Sequence, residues 1–222
     1  MNAVIVTCSS LSIYVQAAQR SQGTAYPVLE LDRLLHVEPE RMKDAMLEAV
    51  AQLPDDVDTL LVAMGFCGGV WEHVRLNRRV VAPRVDDCVS LLLTRTHDYC
   101  PNRKEMGHLY LYEQHPEDFS ALRLMSDYTH QDATFAALDK ETLFHMWFDN
   151  YHALDIIDTG MNNCYEEAYV AAAQQNADMI SATLDFVEGG NLLLEKLVSG
   201  RWDEQFIVAE PNHLLRHGDF FE

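Results

Sequence analysis

The chain has 222 residues, 48% hydrophobic and 23% charged, the balance of a globular rather than a disordered chain, and long enough for a sizeable core. Acidic residues outnumber basic ones 35 to 16, and the formal charge of −19 argues against nucleic acid or an anionic membrane as partner. No apolar run approaches the roughly 20 residues of a membrane span, and the opening MNAVIVTCSS has no secretory pattern, so the expected location is cytoplasmic.

In chain order, AVIVTC (3–8) reads as a strand and LSIYVQAAQR as the helix after it. Residues 37–53 form a helical pattern with Pro39 near the first turn and Met42, Met46, Val50 and Leu53 on one face. TLLVAM (59–64) and RVVAP (79–83) are buried-strand runs, and 86–95 opens a helix on two acidic residues. GHLYLYEQ (107–114) is a fourth strand. PEDFSALRLMSDY and DKETLFHMWFDNYHAL then predict a helical insertion near 115–152. Strand–helix order resumes through 154–160, 182–187 and 206–210. The alternation predicts a single α/β domain over 1–222, a mostly parallel, Rossmann-like sheet with helices on both faces.

The five cysteines are odd in number and scattered, which suits free thiols or metal ligands better than a disulfide framework. Cys8 ends the first strand, Cys67 follows the second and Cys88 follows the third. In a parallel sheet these carboxyl ends share one edge, where such folds place ligands, so three distant thiols are expected to converge. Cys164 has the same relation to a later strand, whereas Cys100 is expected outside the cluster. Gly65, Gly68 and Gly69 flank Cys67 and allow a close backbone approach to a ligand or cofactor. The plainer alternative is a tight turn with a small apolar cysteine. No GxGxxG or GxxxxGK[ST] loop is present.

Thiolates select zinc, iron or the cobalt of a corrinoid, but the absence of a CxxC pair leaves the common ribbon spacing aside. His36 is a candidate fourth ligand. In PRVDDC, Arg84 offers a fork for an anionic group and Asp87 a cofactor contact or a helix cap. The plainer alternative there is a structural Arg–Asp pair. His145, Asp149 and His152 would share one face if their helix reached residue 152, as a metal triad or, more simply, as a solvated polar face. A metal-free rival uses Cys67 as a nucleophile with His36 or His73 as its base.

The ordered motifs resemble the DUF1638 family, a domain of unknown function in bacteria and methanogenic archaea. The resemblance rests on the strand-end Cys8, LHVEP (Leu35–Pro39), GFCGG (Gly65–Gly69), PRVDDC (Pro83–Cys88), DTG (158–160) and WDEQFIVAEPN. Asp86 stands where the family pattern has histidine, and Pro211-Asn212 replaces a late Pro-Gly. The resemblance implies an accessory role in corrinoid-dependent methyl transfer, as a component of a methyltransferase system or its noncatalytic partner.

Overall fold

The computed structural model describes residues 1–114 and 138–222. The chain divides into two compact units, one of Met1–Arg103 with Gly190–Glu222 and one of Lys104–Gly189. Strands that the sequence strings along one sheet therefore belong to two, because the central ones pair among themselves.

The first unit holds β1 (Ala3–Cys8), α1 (Ser12–Gln22), β2 (Val28–Leu31), α2 (Pro39–Ala51), β3 (Thr59–Ala63), β4 (Arg79–Pro83) and α3 (Cys88–Leu93). Its sheet has the order β2-β1-β3-β4-β8, with β8 at Phe206–Ala209. The first four strands are parallel and β8 joins β4 antiparallel. Every residue of β1 and β3 is buried, as expected for uniformly aliphatic strands covered on both faces. Right-handed crossovers place α1, leading outward from β1, and α2, leading back from β2, on opposite faces.

This strand order reverses between β1 and β3. Connections leaving the carboxyl ends of those two strands diverge to opposite sides, and the crevice between them is where open α/β sheets accept ligands. Cys8 ends one of the two strands that border it, and Cys67 follows the other.

The second unit contains β5 (His108–Leu111), α4 (Lys140–Phe148), β6 (Ala153–Asp158), α5 (Glu167–Met179) and β7 (Thr183–Glu188). Its three strands are parallel in the order β5-β6-β7. Leu111, Leu154 and Ile156 pack with Cys164, Tyr169, Ala173 and Ala177 in one core cluster. Leu143 and Phe148 of α4 pack with Ile180, joined by Phe144, Trp147 and Tyr151. The expected helix in PEDFSALRLMSDY, and the insertion as far as residue 137, lie outside the described residues.

The chain then returns to the first unit as α6 (Leu192–Ser199), β8 and α7 (His217–Phe221). α6 packs on α1, β3 and β4. Among the described residues, no helix is long and apolar enough to cross a membrane.

Candidate metal centre

Four neighbouring strands of the first sheet each deliver one soft or nitrogen donor beyond their carboxyl ends. In spatial order β2, β1, β3 and β4 lead to His36, Cys8, Cys67 and Cys88. Cys8 ends β1, and a short 3-10 turn at Ser9–Leu11 begins at once. Cys88 is the first residue of α3, where Asp87 caps the helix by accepting from the Ser90 amide at 3.0 Å.

Cys67 is held differently. Its backbone is left-handed at φ 48°, a costly region for a residue with a side chain. Two bonds to the β4 loop hold it there: the Phe66 amide donates to the Val85 carbonyl at 2.9 Å and the Cys67 amide to the Asp86 carbonyl at 2.7 Å. Gly65 makes this docking feasible, since a β-carbon there would meet backbone atoms of Asp87 at 2.5–2.7 Å. Gly68 continues the left-handed turn at φ 68° and lies against Pro39, where an added β-carbon would meet the ring at 3.1 Å. The glycines thus join the Cys67 loop to the Cys88 loop on one side and to the start of α2, just after His36, on the other.

The result is a compact donor set. Cys67 Sγ lies 3.7 Å from Cys88 Sγ. One ligand atom each from His36, Cys67 and Cys88 lies within 4.8 Å of the others. Zinc–sulfur bonds of about 2.3 Å at a tetrahedral angle set two sulfurs about 3.8 Å apart, so the thiols already stand at ligand spacing. All three cysteines are buried, and His36 is half-buried.

Cys8 stands beside this trio and contacts its histidine. Its Sγ lies 3.4 Å from His36 Nδ1 and accepts from the Ser10 hydroxyl at 3.1 Å. Burial pushes the Cys8 thiol up, but His36 and Ser10 outweigh it and the net shift is down. Burial alone would lower His36, yet its hydrogen bonds and attractions to Cys8 and Cys88 raise it to about 10. The Cys88 thiol is pushed well up, first by sharing a hydrogen bond with Cys67 and then by complete burial. The contact thus favours the charged form of both Cys8 and His36, whereas the neighbouring Cys88 is shifted toward its neutral thiol.

The remaining expected residues fall elsewhere. Arg84 is committed to the carboxyl-terminal segment: Nε donates to the Asp219 carbonyl at 3.1 Å and Nη1 to the Glu204 carbonyl at 3.2 Å. Its guanidinium also lies over the Tyr99 ring at 4.2 Å. Gly69 has a positive φ of 100° and only ordinary contacts around it. Cys100 bonds the nearby Asn102 carbonyl at 3.3 Å, apart from the donor trio. Cys164 belongs to the second unit, where burial and Asp158 push its thiol up to about 11, so it is an inert core thiol.

The helix under His145 and Asp149 ends at Phe148, so His152 never joins their face. His145 and Asp149 pair at 2.8 Å on an exposed surface, which is the solvated arrangement. His73 faces solvent beside Glu72 and supplies no base to Cys67.

Two features escaped the sequence reading. Ser10, two residues after Cys8, donates directly to the Cys8 sulfur, and the Cys-Ser-Ser run at the strand end was its only sign. The terminal aromatic segment caps the Cys67 loop, with Phe66 packed on His217, Phe220 and Phe221 at centroid distances of 5.0–5.6 Å.

No curated protein and no solved structure matches the chain. Residues 31–198 match the family described as "Protein of unknown function (DUF1638)", a span holding His36, Cys67, Cys88 and the loops that join them. With three quarters of its length so matched, the chain belongs to the DUF1638 family.

Proposed function

We propose that this protein binds a single soft or borderline metal ion, zinc or ferrous iron, through His36, Cys67 and Cys88, with Cys8 as the candidate fourth ligand. The observation that carries the reading is the mutual approach of three donor atoms within 4.8 Å at the switch point of a parallel sheet. Their chemistry suits these ions: two thiolates and an imidazole are a common zinc set. The Cys8–His36 contact gives the site two forms. With Cys8 recruited, four protein ligands would close it. With Cys8 held back, a position stays open to an exogenous ligand, as catalytic sites require.

Anaerobic purification followed by elemental analysis tests this. Near-stoichiometric metal that disappears in the Cys67→Ser, Cys88→Ser double variant is the expected result. A native protein that stays metal-free after incubation with zinc and with ferrous iron would overturn it. The finer reading, a corrinoid ligand or an accessory role in corrinoid-dependent methyl transfer, rests on the family resemblance alone. Copurification with a corrinoid methyltransferase, or a corrinoid spectrum on reconstitution, is its test.

The second reading is metal-free nucleophilic chemistry, and the observation favouring it is the Cys8–His36 pair rather than Cys67. It requires that Cys8 be the thiol alkylated first in metal-free protein near neutral pH. Its complete burial argues against that outcome.

A further inference from the structure

We infer that the metal site is redox-gated: two-electron oxidation joins Cys67 to Cys88 in a disulfide and expels the metal, and reduction restores the site. The inference rests on the metal-binding reading and adds its regulation. Three observations carry it. First, the two sulfurs are in direct contact at 3.7 Å. Bond formation at about 2.05 Å requires them to close by about 1.7 Å. Second, that closure joins two loops already fastened by the Phe66–Val85 and Cys67–Asp86 backbone bonds, so little other structure has to move. Third, the remaining ligand has somewhere to go. His36 contacts Cys8 at 3.4 Å, so metal loss leaves the imidazole paired instead of stranded in a half-buried site.

The electron balance is that of thiol–disulfide exchange with a small-molecule disulfide as oxidant. The Cys67 thiolate, the more open of the two at 6% exposure against 3%, attacks one sulfur of the reagent. The reagent's S–S bond breaks and one reagent thiolate leaves. The Cys88 thiolate then attacks the Cys67 sulfur of the mixed disulfide, which forms the Cys67–Cys88 bond and releases the second reagent thiolate. Each cysteine sulfur loses one electron and the reagent gains two. The reagent thiolates take protons from solvent, and the metal leaves as the divalent ion with its two anionic ligands gone.

Zinc-loaded protein treated with oxidised glutathione is the test, read by released zinc and by peptide mapping under non-reducing conditions. The expected result is zinc release in step with a Cys67–Cys88 linked peptide, reversed by dithiothreitol with zinc rebinding. The Cys100→Ser variant should respond identically, because its sulfur lies outside the donor trio. Zinc retained with both thiols free, or zinc lost with a linkage through Cys8 or with no linkage, overturns the inference. If reduced protein binds no zinc at all, the metal reading fails separately. The linked peptide sought in the metal-free protein then decides whether the pair can oxidise at all.

Discussion

Cys8 Sγ and His36 Nδ1 lie 3.4 Å apart, and each shifts the other's titration in the direction that keeps both charged. The pair joins the end of β1 to the segment that follows the neighbouring edge strand β2. It also sets what a metal must displace, since a histidine raised to about 10 carries a proton that coordination has to remove.

Replacing His36 with Gln should therefore release Cys8 to the effect of burial. Its thiol is expected to titrate above the ordinary thiol range rather than below it, because burial is the largest single influence on it. The pH dependence of thiolate ultraviolet absorbance, compared with a Cys8→Ser control, measures this. An unchanged profile would show that His36 does not hold the thiolate.

In metal-free protein the pair makes stability depend on pH in a defined sense. The contribution of His36 is fully present below its unfolded value of 6.5 and is lost as pH rises through about 10. The contribution of Cys8 is present above the ordinary thiol value of 9.0 and is lost as pH falls through its lowered folded value. The advantage of the native protein over His36→Gln in urea unfolding should thus be largest between those two folded values. It should shrink above about 10. A constant difference across pH would count against the pair.

Zinc affinity should climb with pH over the same range, because binding expels the His36 proton and, from Cys88, a proton held by a strongly raised thiol. Calorimetry in buffers of different ionisation enthalpy gives the protons released per zinc. Near neutral pH, two or more are expected, and none would mean that these side chains are not the ligands.

Gly65→Ala tests the docking of the two cysteine loops. The new methyl would meet the Asp87 backbone at 2.5–2.7 Å, and backbone cannot rotate away as a side chain can. The expected cost is about 2–3 kcal/mol of stability, at the upper end of overpacking penalties, together with weaker metal binding. Gly23→Ala is a useful comparison. It has open space around it and a φ of 65°, so it should lose about 1 kcal/mol through backbone strain and leave metal stoichiometry intact.

Arg84→Ala should separate structure from ligand binding. Loss of two carbonyl partners and of the Tyr99 stack is expected to cost about 1–2 kcal/mol and to loosen the carboxyl-terminal segment. Zinc stoichiometry should stay at the native value. Proteolytic sensitivity of the terminus and elemental analysis check the two halves of that expectation.

The local pattern determined much of this protein. Largely aliphatic runs at 3–8, 59–63 and 79–83 specify buried parallel strands, each with a cysteine at or shortly beyond its end, so the convergence of Cys67 and Cys88 was legible in the sequence. Asp87 as a cap was also legible, because capping is a contact between residues three apart. The short strand VLEL (28–31) escaped notice, since an edge strand with mostly exposed or half-exposed residues leaves little apolar signature. The final helix at 217–221 is too short to show a period.

Long-range placement decided the rest. Whether the strands form one sheet or two, and which way β8 runs, depends on pairing partners that no local window contains. Arg84 reads as an anion site beside its motif, yet its partners lie 120 and 135 residues away. His36 moved from a fourth ligand to the centre of the site for the same reason. Strand order sets β2 beside β1, and that adjacency makes one imidazole the meeting point of Cys8 and Cys88. A sequence specifies donors through their chemistry; only the folded sheet specifies which donors share a proton or a metal.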